Sequence, residues 1–145
     1  MKKQPLPPST QAAAVITGAG SGIGRSFAYE VARRGGSVLC VDIDADRAEQ
    51  VAISLRALGT HAVAQGCDVG DEKQMASVAE NAESLLCRPV TLVINNAGVG
   101  LGGPIGEVSL KDWHWCMNVN LWGVIHGCHF LPLGCGTWVT EASST

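Results

Sequence analysis

Four short apolar segments alternate along this chain with four longer segments in which apolar residues recur every three or four positions. The short segments have the continuous hydrophobicity of strands buried on both faces of a parallel sheet; they are residues 12–17, 37–41, 61–65 and 90–94. The alternation predicts an α/β fold, a Rossmann-type doubly wound parallel sheet that is truncated after the fourth strand and its following helix, with the order 3-2-1-4 for the strands present. Because residues 90–94 are apolar and β-prone throughout, we expect the fourth strand to be central.

The longer segments predict four helices, at residues 25–34, 45–58, from about 71 onward, and about 110–131. Ile23, Phe27 and Val31 recur at four-residue spacing and predict the inward face of the first helix. Glycines follow the first and second helices, and a proline stops the fourth. An apolar stripe follows the fourth helix and comprises Leu110, Trp113, Met117, Leu121 and Val124.

A glycine-rich turn, Thr17-Gly18-Ala19-Gly20-Ser21-Gly22-Ile23-Gly24, joins the first strand to the first helix. Glycine tolerates positive φ and lets the backbone approach a pyrophosphate, and the helix that follows presents unpaired N–H groups to the anion. The strict Gly-x-Gly-x-x-Gly spacing is not met; the glycines that fit a wider spacing are Gly18, Gly22 and Gly24. The turn, with its flanking strand and helix, predicts a phosphate cradle in a Rossmann-type fold.

Asp42 stands at the carboxyl end of the second strand, 24 residues after Gly18, where an acid that binds the adenosine ribose belongs. The alternative is a helix cap, but Asp44 and Asp46 are better placed to cap the next helix. A carboxylate accepts hydrogen bonds from two ribose hydroxyls and repels a 2′-phosphate. Since neither Ser21 nor Ile43 supplies a basic partner, the pattern favours NAD over NADP.

The composition and charge of the chain limit the kinds of molecule that we expect it to bind. The net charge is -3, and no basic cluster marks a nucleic-acid or anionic-membrane surface. No apolar run approaches the ~20 residues of a membrane span, and residues 1–11, an expected disordered lead-in, lack the apolar core of a signal peptide. The six cysteines form no Cys-x-x-Cys pair, so we expect reduced thiols, a cytoplasmic protein and no bound metal.

Four motifs together resemble the short-chain dehydrogenase/reductase family over residues 13–133. They are, in order, Thr17-Gly18-x-x-x-Gly22-x-Gly24, Asp68-Val69, Asn95-Asn96-Ala97-Gly98 and Asn118-Val119-Asn120-Leu121-x-Gly123. The resemblance implies hydride transfer between NAD(H) and a small-molecule secondary alcohol or carbonyl. It also implies homodimers or homotetramers built through the helix at 110–131.

The resemblance assigns parts of the cofactor to matched positions. It implies that the pyrophosphate is bound by Gly18, Ser21, Gly22, Ile23 and Gly24. The adenosine would be bound by Asp42, Asp68 and Val69, and the nicotinamide ribose would be lined by Ala97 and Gly98. Asn95 matches an asparagine that joins the fourth strand to its neighbours. Asn120 matches the asparagine of the family's catalytic tetrad, which holds a water in a proton relay.

The rest of that tetrad has no match in the printed sequence. The family uses a serine and a Tyr-x-x-x-Lys pair, in which the lysine lowers the pKa of the tyrosine. Tyr29 is the only tyrosine, and it lies in the predicted first helix with Arg33 four residues later. We therefore expect residues 12–133 to form an incomplete NAD-binding domain that is inactive by itself.

Residues 134–145 lack the pattern of a fifth strand. Codons for this segment permit a family-like sequence when they are read one base away, so we interpret it as the product of a shifted reading frame; a natural short form is the alternative. Two other interpretations stay open. One is a non-enzymatic dinucleotide-binding or regulatory module that pairs with a full-length relative, and the other is a product that scarcely folds because its fourth strand is an exposed edge.

Overall fold

A computed structural model describes residues 10–104 and 106–131. The predicted tail at residues 134–145 and all but two residues of the predicted lead-in at 1–11 lie outside these ranges. The predicted order of strands and helices is confirmed throughout the described part of the chain.

Four parallel strands form one sheet in the predicted order β3-β2-β1-β4. Their bounds are β1 Ala13–Thr17, β2 Ser37–Asp42, β3 Ala62–Gly66 and β4 Leu92–Ile94. The helices are α1 Gly22–Arg33, α2 Ala45–Ala57, α3 Glu72–Leu86, α4 Leu110–Met117 and α5 Gly123–Phe130. In the register, Val15 of β1 pairs with Leu39 of β2 on one side and with Val93 of β4 on the other.

The apolar side chains of the two middle strands are buried on both sides of the sheet. Ile16 and Cys40 belong to a core that also contains residues of α1 and α2, whereas Val15 and Leu39 belong to a second core with residues of α3. Successive residues of a strand point to opposite faces, so a strand covered on both faces needs apolar residues at every position. This explains why the sequence of these strands is continuously apolar.

The predicted inward face of α1 is confirmed at Val31 but is wrong at Ile23 and Phe27. Ile23 is 69% exposed and Phe27 is 41% exposed, whereas Gly24, Ala28 and Val31 are the buried residues of this helix. A side chain at position 24 would collide with the carbonyl oxygen of Gly18. Gly24 therefore allows the helix to approach the turn closely, and with this residue facing inward the larger Ile23 and Phe27 point outward.

Strand β4 lies at an edge of the described sheet. The expectation that it is central is therefore wrong for the described residues. The strand is three residues long, its residues are half-buried, and it pairs with β1 on one side. Its continuously apolar composition is that of a strand covered on both faces of the sheet. Within residues 10–104 and 106–131 no strand occupies its other side.

The predicted fourth helix is two α-helices joined by a π-helical turn, Asn118–Trp122. The residues that it buries are Gly123, His126 and Gly127, all in α5. The predicted apolar stripe instead faces solvent in the single chain, with exposures from 37% at Val124 to 76% at Leu110. The turn inserts an additional residue, which shifts the buried face between the two halves of the helix.

Candidate nucleotide site

The carboxyl ends of the strands open into a cavity of about 450 Å³. Nine of the twelve predicted site residues line it: Gly18, Ser21, Gly22, Ile23, Asp42, Asp68, Val69, Ala97 and Gly98. Gly24, Asn95 and Asn120 are the three that do not. Residues more than 70 positions apart in sequence thus meet where ligands of parallel α/β sheets bind.

The glycines of the turn serve two different purposes. Gly18 has a φ of 65°, and a Cβ there would lie 2.9 Å from the Cα of Ala97, so this glycine permits close packing of two loops. Gly24 permits the close approach of α1 to the turn, as described above. Gly22 has a φ of 50°, and a Cβ there would meet nothing within 4 Å. The backbone at Gly22 is therefore open toward the cavity, as a cradle for a phosphate requires.

Helix α1 begins at this cavity without a cap from a side chain. Its N-cap residue, Ser21, makes no capping hydrogen bond, and its first turn contains no acidic residue. The N–H groups of a first helical turn have no intrahelical partner and attract negative charge. The start of α1 is therefore suited to bind an anion that enters the cavity.

Asp42 reaches the cavity from the end of β2 and is held by two backbone donors. Its Oδ2 accepts a hydrogen bond from the N–H of Gly20 at 2.8 Å, and its Oδ1 accepts one from the N–H of Asp44 at 3.0 Å. Asp44, as predicted, caps α2 by accepting from the N–H of Arg47 at 3.0 Å. The capping alternative for Asp42 is therefore wrong, and its carboxylate is fixed beside the glycine turn.

The loop after β3 is fixed both by its own helix and by the distant α5. The N–H of Asp68 donates to Oε1 of Gln74 at 2.9 Å, and the Asp68 carboxylate accepts from the N–H of Gly70 at 2.9 Å. The buried ring of His126 shares a hydrogen bond of 2.8 Å with the carbonyl oxygen of Val69. Asp68 and Val69 therefore present a rigid wall to one end of the cavity.

The joining role predicted for Asn95 belongs to its neighbour Asn96, which the prediction did not single out. The Asn96 side chain donates to the carbonyl oxygens of Thr17 at 3.0 Å and Gly18 at 3.3 Å, and its backbone N–H donates to Oγ1 of Thr17 at 3.0 Å. The Asn95 side chain points the other way, to Sγ of Cys128 at 3.6 Å. Successive side chains of a strand point to opposite faces, so the two adjacent asparagines face different parts of the fold. This alternation was the feature of the sequence that could have identified Asn96.

Asn120 lies in the π-helical turn and holds the loop that follows β4. Its side chain accepts from the N–H of Val99 and donates to the carbonyl oxygen of Val99, both at 2.8 Å. It also donates to Sγ of Cys116 at 3.2 Å. The amide is thereby fixed against Val99, a residue of the cavity wall.

Cys67 is the cavity residue with a resolved pKa shift. Burial raises the pKa of its thiol to about 12, and the charges of Asp68 and Asp71 add to the rise. The thiol therefore stays protonated near neutral pH, which makes it a poor nucleophile. No group of three or more His, Cys, Asp or Glu side chains in the described residues is arranged to hold a metal ion. None of the described helices is long and apolar enough to cross a membrane.

Comparison with known proteins decides the family. The family profile described as short chain dehydrogenase matches residues 12–132. The chain belongs to the short-chain dehydrogenase/reductase family. Its relatives include the 7alpha-hydroxysteroid dehydrogenase of Escherichia coli K12, 36% identical over 113 residues that cover 78% of this chain and 44% of that protein. The cyclohexanol dehydrogenase of Acinetobacter sp. strain SE19 is 36% identical over 136 residues, which cover 90% of this chain and 54% of that protein.

Solved structures of the family share the fold. A short-chain dehydrogenase/reductase from Burkholderia phymatum, in complex with NAD, is 38% identical with a TM-score of 0.80, over 85% of this chain and 43% of that one. A blue fluorescent protein from a metagenomic library, in complex with NADPH, is 31% identical with a TM-score of 0.76, over 81% and 49%. The chain spans about half the length of these curated relatives and structures.

Proposed function

We propose that residues 12–133 are the dinucleotide-binding half of an oxidoreductase that transfers hydride between NAD(H) and a secondary alcohol or carbonyl. The observation that carries the proposal is the uncapped start of α1 beside an open glycine turn, with the Asp42 carboxylate fixed next to it. When bound, the nicotinamide supplies the hydride chemistry. The buried free thiols of this chain suit a cytoplasmic location, which is part of the proposal.

The described residues fit the parts of a dinucleotide. The turn from Gly18 to Gly22 and the start of α1 would hold the pyrophosphate, and Asp42 would accept hydrogen bonds from the adenosine ribose. Asp68 and Val69 would contact the adenine. Ala97 and Gly98, in the wall formed by the loop after β4, would line the nicotinamide ribose. The Asn120 amide would then act from behind this wall, through Val99.

We infer NAD as the preferred nucleotide because the Asp42 carboxylate would repel a 2′-phosphate. Arg47, which the sequence argument did not weigh, packs against Gly20 close to this carboxylate. Its guanidinium pairs with Asp44 at 3.0 Å, which leaves its charge partly neutralised. The relatives of known structure include complexes with NAD and with NADPH, so Asp42 and Arg47 are the residues to test.

Calorimetric titration of NAD and NADP into the chain tests the choice of nucleotide. We expect tighter binding of NAD, and a narrower preference in Asp42→Asn, which keeps an acceptor for Gly20 but removes the charge. Loss of charge-assisted hydrogen bonds of about 1.5–3 kcal/mol corresponds to roughly 10- to 150-fold weaker NAD binding. Asp46→Asn, on the first turn of α2 and outside the cavity lining, is the matched control. Equal or tighter NADP binding by the unsubstituted chain would overturn the preference.

We propose further that the printed chain binds nucleotide without turning over substrate. Tyr29, its only tyrosine, lies in α1 and outside the lining of the cavity. A general acid or base must reach the reacting atoms, and its loss costs about 10²–10⁴-fold in rate. Assays of NADH formation with a panel of secondary alcohols should give no rate above the blank. Turnover would mean that another residue, or a partner subunit, moves the proton.

A second candidate is a non-enzymatic nucleotide-binding or regulatory module that pairs with a full-length relative. It is favoured by the exposed apolar residues of α4 and α5, among them Trp113, Leu121 and Trp122. Light scattering of the chain, alone and mixed with a full-length relative, distinguishes this candidate. We expect a mass greater than one chain that Leu121→Glu reduces; a monomer in both samples would remove the second candidate.

A further inference from the structure

We propose that Trp115 is a further contact for the dinucleotide, with the face of its indole ring against the adenine. The inference rests on the proposed function, because it concerns the same cavity. Trp115 lies in α4 and lines the cavity together with Val119, which lies about one turn later in the π-helical turn. None of the motifs by which the sequence resembles the family includes it.

Two anchors place Trp115 between the loop after β3, whose Asp68 and Val69 would contact the adenine, and the loop after β4. Asn118, three residues later, donates to the carbonyl oxygen of Gly70 at 3.3 Å, which ties this part of the helix to the loop of Asp68 and Val69. Cys116, the next residue, faces Asn120, which is fixed to Val99. Trp115 therefore lies on the rim between the loop after β3 and the loop after β4.

The fold leaves Trp115 partly exposed at the cavity, so a ligand bound there can cover its ring. Trp113, Trp115 and Trp122 are 49%, 49% and 50% exposed, so the fold buries none of them. Trp113 and Trp122 do not line the cavity, whereas Trp115 does. An aromatic face at the rim of a cavity gains from stacking on a flat base, because a base covers apolar surface that water otherwise contacts.

The three tryptophans of similar exposure make a matched experiment. Binding of NAD and of ADP-ribose is measured by calorimetry for the unsubstituted chain, Trp115→Ala, Trp115→Phe, Trp113→Ala and Trp122→Ala. We expect Trp115→Ala to weaken both ligands by about 3- to 10-fold, the range expected for one aromatic contact. Trp115→Phe should recover most of the loss, and the two control variants should bind within about twofold of the unsubstituted chain.

Fluorescence gives a second readout that a structural role would not move. Stacking of adenine on an indole ring quenches its fluorescence, so we expect Trp115→Phe to remove more of the quenching induced by ADP-ribose than Trp113→Phe or Trp122→Phe. Loss of NAD affinity in Trp115→Ala with ADP-ribose affinity unchanged would overturn the adenine contact. Unchanged affinity for both would overturn any contact. If the unsubstituted chain binds neither ligand, the proposed function fails and this inference fails with it.

Discussion

Helices α1 and α3 both follow strands of one sheet, yet they begin in opposite ways. At the start of α3 the Asp71 carboxylate accepts from the N–H groups of Lys73 at 2.9 Å and Gln74 at 3.1 Å, and Glu72 adds an acid to the first turn. At the start of α1, Ser21 makes no such hydrogen bond and no acid is present. The backbone donors of α3 are satisfied by the protein itself, whereas those of α1 face the cavity.

This difference between the two helix starts distinguishes residues that stabilise the fold from residues that would serve a ligand. A missing cap typically costs about 0.5–2 kcal/mol of stability. An anion that binds only the folded chain returns free energy on binding, because ligation shifts the folding equilibrium. On the proposed function, the uncapped end of α1 is a place where this fold gives up stability for binding, and substitutions at the two helix starts should have opposite consequences.

The largest effect is expected at Gly24, where α1 meets the turn. Gly24→Ala places a methyl group against the carbonyl oxygen of Gly18 and forces the helix away from the cradle. We expect a loss of about 1–3 kcal/mol in the free energy of unfolding and at least tenfold weaker NAD binding, measured by denaturant unfolding and calorimetry. Gly102→Ala, where an added Cβ meets nothing within 4 Å, is the control and should change neither.

Ser21→Asp should make the start of α1 resemble the capped start of α3. A carboxylate at this position can cap the helix and interact favourably with its dipole, so we expect about 0.5–1 kcal/mol more stability in the free chain. The same charge would repel the pyrophosphate and occupy its donors, so NAD should bind at least tenfold more weakly. Ser21→Ala removes no capping bond and should leave stability nearly unchanged. Tighter NAD binding by Ser21→Asp would contradict the assignment of this helix end.

Asp71→Ala should lower the melting temperature by several degrees without a large change in NAD affinity. The pKa of Asp71 lies below its ordinary value of 3.8, chiefly because the backbone N–H of Gln74 donates to the carboxylate. Since the folded pKa is the lower one, the stabilisation is complete above about pH 4 and disappears as the pH falls through the folded pKa. The difference in melting temperature between Asp71→Ala and the unsubstituted chain should follow that course. A difference that grows on acidification would disprove it.

The smallest effect concerns the other end of α3. Gly35 and Gly59 end α1 and α2 with φ of 77° and 83°, but the corresponding residue after α3 is Cys87, with φ of 55°. A left-handed conformation costs a non-glycine residue about 1 kcal/mol, so Cys87→Gly should raise the free energy of unfolding by up to that amount. Cys87→Ser keeps a side chain and should give no gain. The measurement is denaturant unfolding, with nucleotide binding as an unchanged reference.

The strands could be predicted from the sequence because their pattern of apolar residues has one physical cause, which is burial on both faces of the sheet. Strands β1 and β2 are covered on both faces, so their sequences are apolar at every position. The turn at Gly18 and Gly22 was recognisable because positive φ and close backbone approach select glycine. Asp42 was recognisable because a carboxylate at the end of the second strand has a defined position relative to that turn.

The errors arose where packing between distant segments decides the outcome. The exposure of Ile23 and Phe27 depends on how closely α1 approaches the turn, which helical periodicity alone does not contain. The joining role fell to Asn96 because the register of β4 against β1 sets which of two adjacent asparagines faces Thr17. The exposed apolar stripe, and the edge position of β4, show that an apolar pattern identifies a surface to be covered but not what covers it.

The most direct test of the central claim is a titration of the ¹⁵N-labelled chain with NAD, followed through its backbone amide resonances. If the start of α1 binds the pyrophosphate, the largest shifts will occur at the N–H groups of Gly22, Ile23 and Gly24. The amides of Lys73 and Gln74, already bonded to Asp71, should shift little. Saturable binding of NAD that leaves Gly22, Ile23 and Gly24 unshifted would contradict the account.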